Sequence, residues 1–244
     1  MIIDQSTKLL SNIIEIGEIN TKAEAETYLH KIKNLIDIEF FLMGMSVPIT
    51  MTRSESIIID NYPSGWRTLY DQNHLKDIDP VVKHCMENSS PVSWGEIKLL
   101  KRANTINVME EAKTYDLNFG VSIPIHTNNS AFGMVSFASS EKMRTDTSLA
   151  VMASNLVQPL ISDFVTKQSQ SLRDVHSVSL TDRELECLKW SAEGKSAWEI
   201  SRIICCSERT VIFHISNMCN KLGAANKYQA ISKAIISGVM HPEY

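Results

Sequence analysis

The stretch Leu180-Thr-Asp-Arg-Glu-Leu-Glu-Cys-Leu-Lys-Trp190 decides the fold of the C-terminal region, with Glu193-Gly-Lys-Ser-Ala-Trp-Glu-Ile-Ser201 and Ser207-Glu-Arg-Thr-Val-Ile-Phe-His214 behind it. Thr181 lies three residues before Glu184 and ahead of Leu185, Leu188 and Trp190, the spacing of a capping box that opens a helix. Gly194 follows as the stop, because glycine takes the left-handed conformation just past a helix end without a Cβ clash. A short helix is expected over about Ala197 to Ile204. Cys205-Cys206 form a turn, and Ser207 caps a longer helix that reaches about Leu222. Two helices joined by a tight turn make a helix–turn–helix unit.

The longer helix has two faces. Val211, Ile215, Met218 and Leu222 recur at i, i+4, i+7 and i+11, a stripe expected to pack on the shorter helix. The opposite face carries Arg209, Ile212, Phe213, Ser216, Asn217 and Asn220. A mixed polar and apolar outer face suits a helix lying in the major groove of DNA. A small helical bundle with a solvated outer face has the same period and caps. The adjacent Ile212 and Phe213 favour an interface, since two bulky apolar neighbours are out of place against water.

These residues resemble the DNA-binding domain of LuxR-type regulators. The family pattern has a Glu, a Leu four residues on and a Gly six beyond, which fall here on Glu184, Leu188 and Gly194. With Ser207-Glu-Arg-Thr-Val211 and His214, the likeness covers residues 180–244. It implies an all-α, four-helix helix–turn–helix domain. It also implies that Ile212, Phe213 and Ser216 face base edges, among a contact set that takes in Lys195, Ser207, Arg209, Thr210, Asn217, Asn220 and Lys221. Phosphate contacts are expected mainly from Arg209, Lys195 and Lys221. Two positions depart from the family. Cys205 stands where the turn often has Gly, and Ile212 where relatives often carry Lys or Arg, so a guanine contact there is not implied.

The bulk properties bound the rest. The chain has 244 residues, enough for two domains, and 43% hydrophobic with 21% charged residues is ordinary for a soluble globular protein. No apolar run approaches the ~20 residues that cross a bilayer. The N-terminus, Met1-Ile-Ile-Asp4, lacks a basic segment followed by an apolar core, so a cytoplasmic protein without a membrane partner is expected. Cys85, Cys187, Cys205, Cys206 and Cys219 are odd in number and lack Cys-x-x-Cys spacing, which argues against a disulfide framework and a zinc site. His126 and His214 have no second ligand at metal spacing. No cofactor is expected.

From Val178 onward there are eight Lys/Arg against seven Asp/Glu, a net +1, while the remainder carries −5. A +1 unit attracts a phosphate backbone weakly. Adequate DNA affinity then calls for two copies, hence a homodimer.

Residues 168–179 (QSQSLRDVHSVS) are polar, Ser-rich and aperiodic, and are expected to be a linker between domains at 1–167 and 180–244. The first domain mixes helices and strands. Ser6 to Ile16 is amphipathic. Thr21-Lys-Ala-Glu24 is a second capping box, opening a helix to about Leu35. Phe40 to Val47 and Ser56 to Asp60 read as strands. Ser64 to Gln72 and Pro80 to Asn88 read as short helices. Asn118 to His126 and Ala131 to Ser139 are strands flanking a hairpin signal at Thr127-Asn-Asn-Ser130. Thr145 to Lys167 is a long final helix. This order fits an α/β/α sandwich around an antiparallel sheet, and so an α+β chain overall.

Aromatic residues cluster along the first domain: Tyr62-Pro-Ser-Gly-Trp66, Tyr70, then Ile78-Asp79-Pro80, then Trp94. Trp66 and Tyr70 are four apart and share a helix face. Each has an apolar body and a polar tip that needs a partner when buried. A small amphiphile supplies both kinds of contact. The bland alternatives are core aromatics, Asp79 as an N-cap before Pro80, a satisfied Ser136 hydroxyl, and Gly120 serving close backbone approach.

Here too the sequence resembles the LuxR family, now its ligand-binding domain. The pattern of Trp, Tyr, Asp-Pro, Trp and Gly falls on Trp66, Tyr70, Asp79-Pro80, Trp94 and Gly120. The resemblance implies an N-acyl-homoserine lactone as effector. By that likeness Trp66 donates to the lactone carbonyl and Asp79 accepts from the ligand amide. Tyr62 donates to the acyl carbonyl, Ser136 meets a 3-oxo group, and Tyr70, Leu42, Val82 and Trp94 wall the chain or ring. It further implies that a last helix, about Lys227 to Gly238, joins two DNA-binding units, and that activators of this kind touch RNA polymerase.

Three other readings compete. A lactone- or amide-processing enzyme would need a nucleophile elbow, a metal-binding His-x-x-x-His or a P-loop, and none is present. A response regulator would need an N-terminal acidic pair on a parallel sheet, whereas Asp4 is isolated. A ligand-independent or repressing family member has the same motifs and stays open.

Overall fold

Helix α1 (Lys22–Leu35) begins where its capping box says it should. Glu24 N–H donates to Thr21 Oγ1 at 3.2 Å, and Thr21 N–H donates back to Glu24 Oε2 at 3.0 Å. The computed structural model describes residues 18–97, 107–127, 130–141, 147–172 and 178–240, without the side chains of 147–157. The amphipathic stretch at Ser6 to Ile16 and the hairpin tip at Asn128-Asn129 lie outside the described residues.

Five strands follow in chain order: β1 (Phe40–Thr50), β2 (Arg53–Asp60), β3 (Val92–Ser93), β4 (Phe119–His126) and β5 (Phe132–Ser139). They lie side by side as β2-β1-β5-β4-β3. β5 pairs antiparallel with β1 from Phe40↔Ala138 to Ser46↔Phe132, and with β4 from Phe119↔Ser139 to His126↔Phe132. β3 adds Val92↔Ser122 and Ser93↔Val121 on the far edge.

The period of two then divides the sheet into faces. Phe41, Met43, Met45, Ile123, Val135 and Phe137 are buried on one face. The α1 residue His30 meets Phe41 edge-on at 4.8 Å there. Val165 of α5 (Thr147–Leu172) covers Gly133 on the same face. The opposite face presents Leu42, Gly44, Ser122 and Ser136, and is covered by α2 (Ser64–Gln72), α3 (Pro80–Glu87) and α4 (Val108–Lys113). The result is the expected sandwich of helices on both sides of an antiparallel sheet.

The chain divides into two compact units, one made mostly of residues up to Lys167 and the other mostly of Gln168–Tyr244. The second contains α6 (Asp182–Ala192), α7 (Ala197–Ile203), α8 (Glu208–Lys221) and α9 (Lys227–Ser237). Thr181, Ser196 and Ser207 cap the first three, and Asn226 the fourth. Gly194 has φ 81°, the left-handed stop expected of it. Cys205, standing where relatives often have Gly, takes φ 53°, and Cys206 N–H closes the turn on Ser201 O at 3.0 Å.

Two boundaries are corrected. α5 continues to Leu172, five residues into the segment read as linker, because Gln168-Ser-Gln-Ser-Leu172 keeps helical hydrogen bonding and Ser169 is buried. β1 runs three residues past Val47. The β5 ladder has ended by Ser46, so Pro48, which lacks an N–H, costs no bond there.

Candidate functional site

A cavity lies between the sheet and α2–α4. Leu42, Tyr62, Trp66, Tyr70, Asp79, Val82, Trp94 and Ser136 all line it, so every ligand-contact residue anticipated from the sequence is brought to one place.

Local structure sets each polar group. Asn61 pins the turn before α2 to the start of β1: its Oδ1 accepts from Phe41 N–H at 2.7 Å and its Nδ2 donates to Glu39 O at 3.0 Å. Tyr62 N–H then donates to Asp60 Oδ1 at 3.1 Å. This turn directs the Tyr62 ring inward, where its hydroxyl is buried beside the Ser136 hydroxyl, outside full hydrogen-bond geometry. Burial raises the Tyr62 phenol above its ordinary range, and the Asp79 and Asp60 carboxylates add to that, so it is a donor at neutral pH.

Trp66 projects from α2 and is buried between Tyr70 and Tyr115, with ring centroids 5.4 and 5.8 Å away. Gly65 lets Tyr115 approach, since a Cβ there would sit 2.8 Å from its ring. Arg67 closes the rim by pairing with Asp60 at 3.4 Å and lying over the Tyr70 ring.

Asp79 is both a helix cap and a cavity group. Its Oδ1 accepts from Val81 N–H at 2.7 Å and Val82 N–H at 3.5 Å, while Oδ2 accepts from Tyr70 Oη at 2.8 Å. Burial lifts its pKa above the usual carboxylate range, against the pull of those three donors. The same burial, with Asp79 nearby, pushes the Cys85 thiol up to about 12.

On the opposite wall, Trp94 lies flat on Gly120, where a Cβ would meet its ring at 2.5 Å. Close approach is therefore what Gly120 serves. The Trp94 indole N–H donates to Ser122 Oγ at 2.9 Å, and Ser122 Oγ is 2.7 Å from Ser136 Oγ across the β4–β5 ladder. Ser122 and the α4 residues Val108, Met109 and Ala112 were not read from the sequence. A single Ser inside the apolar run of β4, opposite Ser136, was the available signal. For α4 it was Asn107 three residues before Glu110, where Asn107 Oδ1 does accept from Glu110 N–H.

The second unit presents the expected surface. Val211 and Met218 are buried, and Cys187, Leu188, Ile200 and Ile204 pack around them. On the outer face Ile212 and Phe213 are 54% and 60% exposed, with Arg209, Thr210, Ser216 and Asn220 also exposed. Lys195 and Asn217 are half-buried. Ser207 Oγ caps α8 through Thr210 N–H at 3.1 Å.

Lys221 is exposed too, and its Nζ sits 2.7 Å from Glu184 Oε2 and also donates to Ser179 O. Burial alone would raise Glu184, but the Lys221 ammonium and the Thr181 donors outweigh it and hold the carboxyl below its ordinary range.

Among known proteins, residues 21–165 match the family model described as autoinducer binding domain, and residues 178–234 the model described as bacterial regulatory proteins, luxR family. The chain is 43% identical to the transcriptional activator protein VanR of Vibrio anguillarum, over 96% of this chain and 98% of that one. It is 40% identical to the transcriptional activator protein LuxR of Aliivibrio fischeri, over 95% and 94%. The crystal structure of Escherichia coli SdiA superposes with a TM-score of 0.71 at 22% identity, covering 99% of this chain and all of that one, which bears on the fold.

Proposed function

The chain belongs to the LuxR family of bacterial regulatory proteins, with an autoinducer-binding domain ahead of a luxR-type DNA-binding domain, and from that premise we propose that it is a transcriptional activator gated by an N-acyl-homoserine lactone. The observation that carries the ligand class is the polar set inside an otherwise apolar cavity. One carboxylate, Asp79, can accept from an amide N–H, and two donors, Trp66 and Tyr62, can serve two carbonyls. That complement fits a lactone carbonyl, an amide and an acyl carbonyl in series. Leu42, Tyr70, Val82 and Trp94 line the rest, where each buried methylene contributes about 0.8 kcal/mol, and Ser136 suits a substituent at the 3-position.

Ligand fills a cavity whose walls otherwise lack packing partners, and so stabilises the first domain, residues 1–167. Two copies then associate through α9, where Tyr228 and Ile235 are exposed seven residues apart and so share a face. The paired α8 helices read a two-fold-related DNA site. Ile212 and Phe213 offer only apolar contacts, which suit thymine methyl groups, and Arg209 and Lys195 serve phosphates. Contact with RNA polymerase completes activation, in the cytoplasm at the nucleoid.

Calorimetric titration of the purified chain with N-acyl-homoserine lactones of increasing acyl length tests the ligand. Saturable binding that depends on Asp79 is expected. Absence of binding across the series would overturn the assignment.

A further inference from the structure

Helix α8 carries Ile212 and Phe213, and its direction depends on how its two ends are held. Ser207 caps the N-terminal end. At the other end Gly223 takes φ 58°, and the turn closes as Ala224 N–H donates to Cys219 O at 2.8 Å and Gly223 N–H to Asn220 O at 3.1 Å. A turn of this kind satisfies carbonyls that a helix end otherwise leaves open. The next two, Leu222 O and Gly223 O, accept from Lys233 Nζ at 3.2 and 2.6 Å. Lys233 belongs to the middle of α9. Its ammonium has three donors, and a cation there also meets the negative end of the α8 dipole. The two sides of α9 differ. Ala230, Lys233 and Ala234 share one side at helical spacing, and Ala230 and Ala234 are buried in one cluster with Met218 and Leu222 of the α8 end. Tyr228 and Ile235 stand on the opposite side, 70% and 42% exposed. One helix therefore holds α8 with one side and turns an apolar surface outward with the other.

We propose that Lys233 is a positioning residue for DNA reading: it fastens the end of α8 to α9, so that the angle of the reading helix is set by the helix through which two copies associate. This rests on the reading of α9 as the contact between copies, and it adds the residue that links that contact to the DNA-reading helix. Two α8 helices held at a fixed angle accept one separation between the halves of a two-fold site. An α8 released from Lys233 still reaches base edges in each half but tolerates more than one separation.

The test uses the full chain, loaded with the lactone that binds tightest in the titration series, and duplexes carrying one selected two-fold site with zero, one or two base pairs inserted between its halves. Each inserted pair moves the halves apart by about 3.4 Å and turns them by about a tenth of a helical turn. Wild type is expected to lose about tenfold in affinity at one inserted pair, comparable to one mismatched base pair. Lys233→Met keeps the apolar stem and removes the charge and the donors. Its affinity ratio between the native and the inserted duplex is expected to fall toward one. Lys233→Arg, which can donate to both carbonyls, is expected to keep the wild-type ratio. Urea unfolding of each variant sets a temperature at which all are folded. If Lys233→Met does not fold, Lys233→Gln, which keeps a donor for one carbonyl, is compared in its place. A merely structural role weakens binding to every duplex alike. An unchanged ratio in the variant that lacks the ammonium therefore overturns the inference while leaving the reading of α9 intact. A wild type indifferent to insertion overturns both.

Discussion

Tyr70 Oη and Asp79 Oδ2 are 2.8 Å apart, and this bond ties the middle of α2 to the first turn of α3. Because Oδ1 is held by the Val81 and Val82 amides, the carboxylate is locked at both oxygens. An acceptor fixed before the ligand arrives spares binding the cost of ordering it.

Asp79→Asn separates the two roles. The amide oxygen can still cap α3, and the amide nitrogen can face Tyr70 Oη as donor. The acceptor for a ligand amide is lost. Lactone affinity is expected to fall roughly 5- to 150-fold, with the melting temperature of the ligand-free chain little changed. Asp79→Ala is expected to lose the cap as well, at about 1 kcal/mol in denaturant unfolding. Equal lactone titrations for wild type and Asp79→Asn would remove Asp79 from the site.

The raised pKa of Asp79 gives binding a pH dependence. A ligand N–H donating to the carboxylate favours its charged form, so bound ligand lowers the pKa and binding releases a proton. Affinity is therefore highest above the raised pKa of the free protein and declines as pH falls through it. For folding of the free chain the sign is opposite: ionising this buried group opposes stability as pH rises above the ordinary carboxylate range. Asp79→Asn is expected to flatten the affinity profile, and a slope that survives in that variant would assign it to another group.

Gly120→Ala puts a methyl where the Trp94 ring lies. The ring must shift, and its bond to Ser122 goes with it. Overpacking of this kind costs about 1–3 kcal/mol. Reduced thermal stability and weakened lactone binding are expected together. A variant with native stability and unchanged tryptophan fluorescence would mean that Trp94 has room to move.

Much of this was legible from residue types. The capping boxes at Thr21 and Thr181 are local chemistry, and both helices begin there. The Val211–Met218 stripe is buried as its period required, and Ile212-Phe213 is exposed opposite it. Asp79 read equally as a cap and as a ligand group, and its two oxygens allow both. What stayed hidden depends on distance across the fold. Ser122 acquires meaning only from its partners 28 and 14 residues away, Trp94 and Ser136. Six-residue α4 is too short to show a period. The engagement of Lys221 by Glu184 joins residues 37 apart, which helix spacing does not reveal.

That ion pair changes what Lys221→Ala tests. The substitution strands the buried Glu184 carboxylate, and with Lys221 half-exposed a loss of about 1–2 kcal/mol in unfolding is expected. Since Glu184 is held below its ordinary range, its contribution is present above that range and is lost as pH falls through the depressed value. Arg209→Ala, by contrast, is expected to leave stability unchanged and to flatten the salt dependence of DNA binding by about one unit. If Lys221→Ala left stability untouched and flattened the salt slope instead, the pairing would be wrong.

The central claim is that ligand in the first domain controls DNA binding by the second. The direct measurement selects binding sites from a random duplex pool using the lactone-loaded full chain, then titrates one selected duplex with and without lactone. Two-fold-symmetric sites are expected, with affinity that collapses when lactone is withheld and that Asp79→Asn fails to restore. Equal affinity with and without lactone, in a chain that binds lactone, would contradict ligand gating.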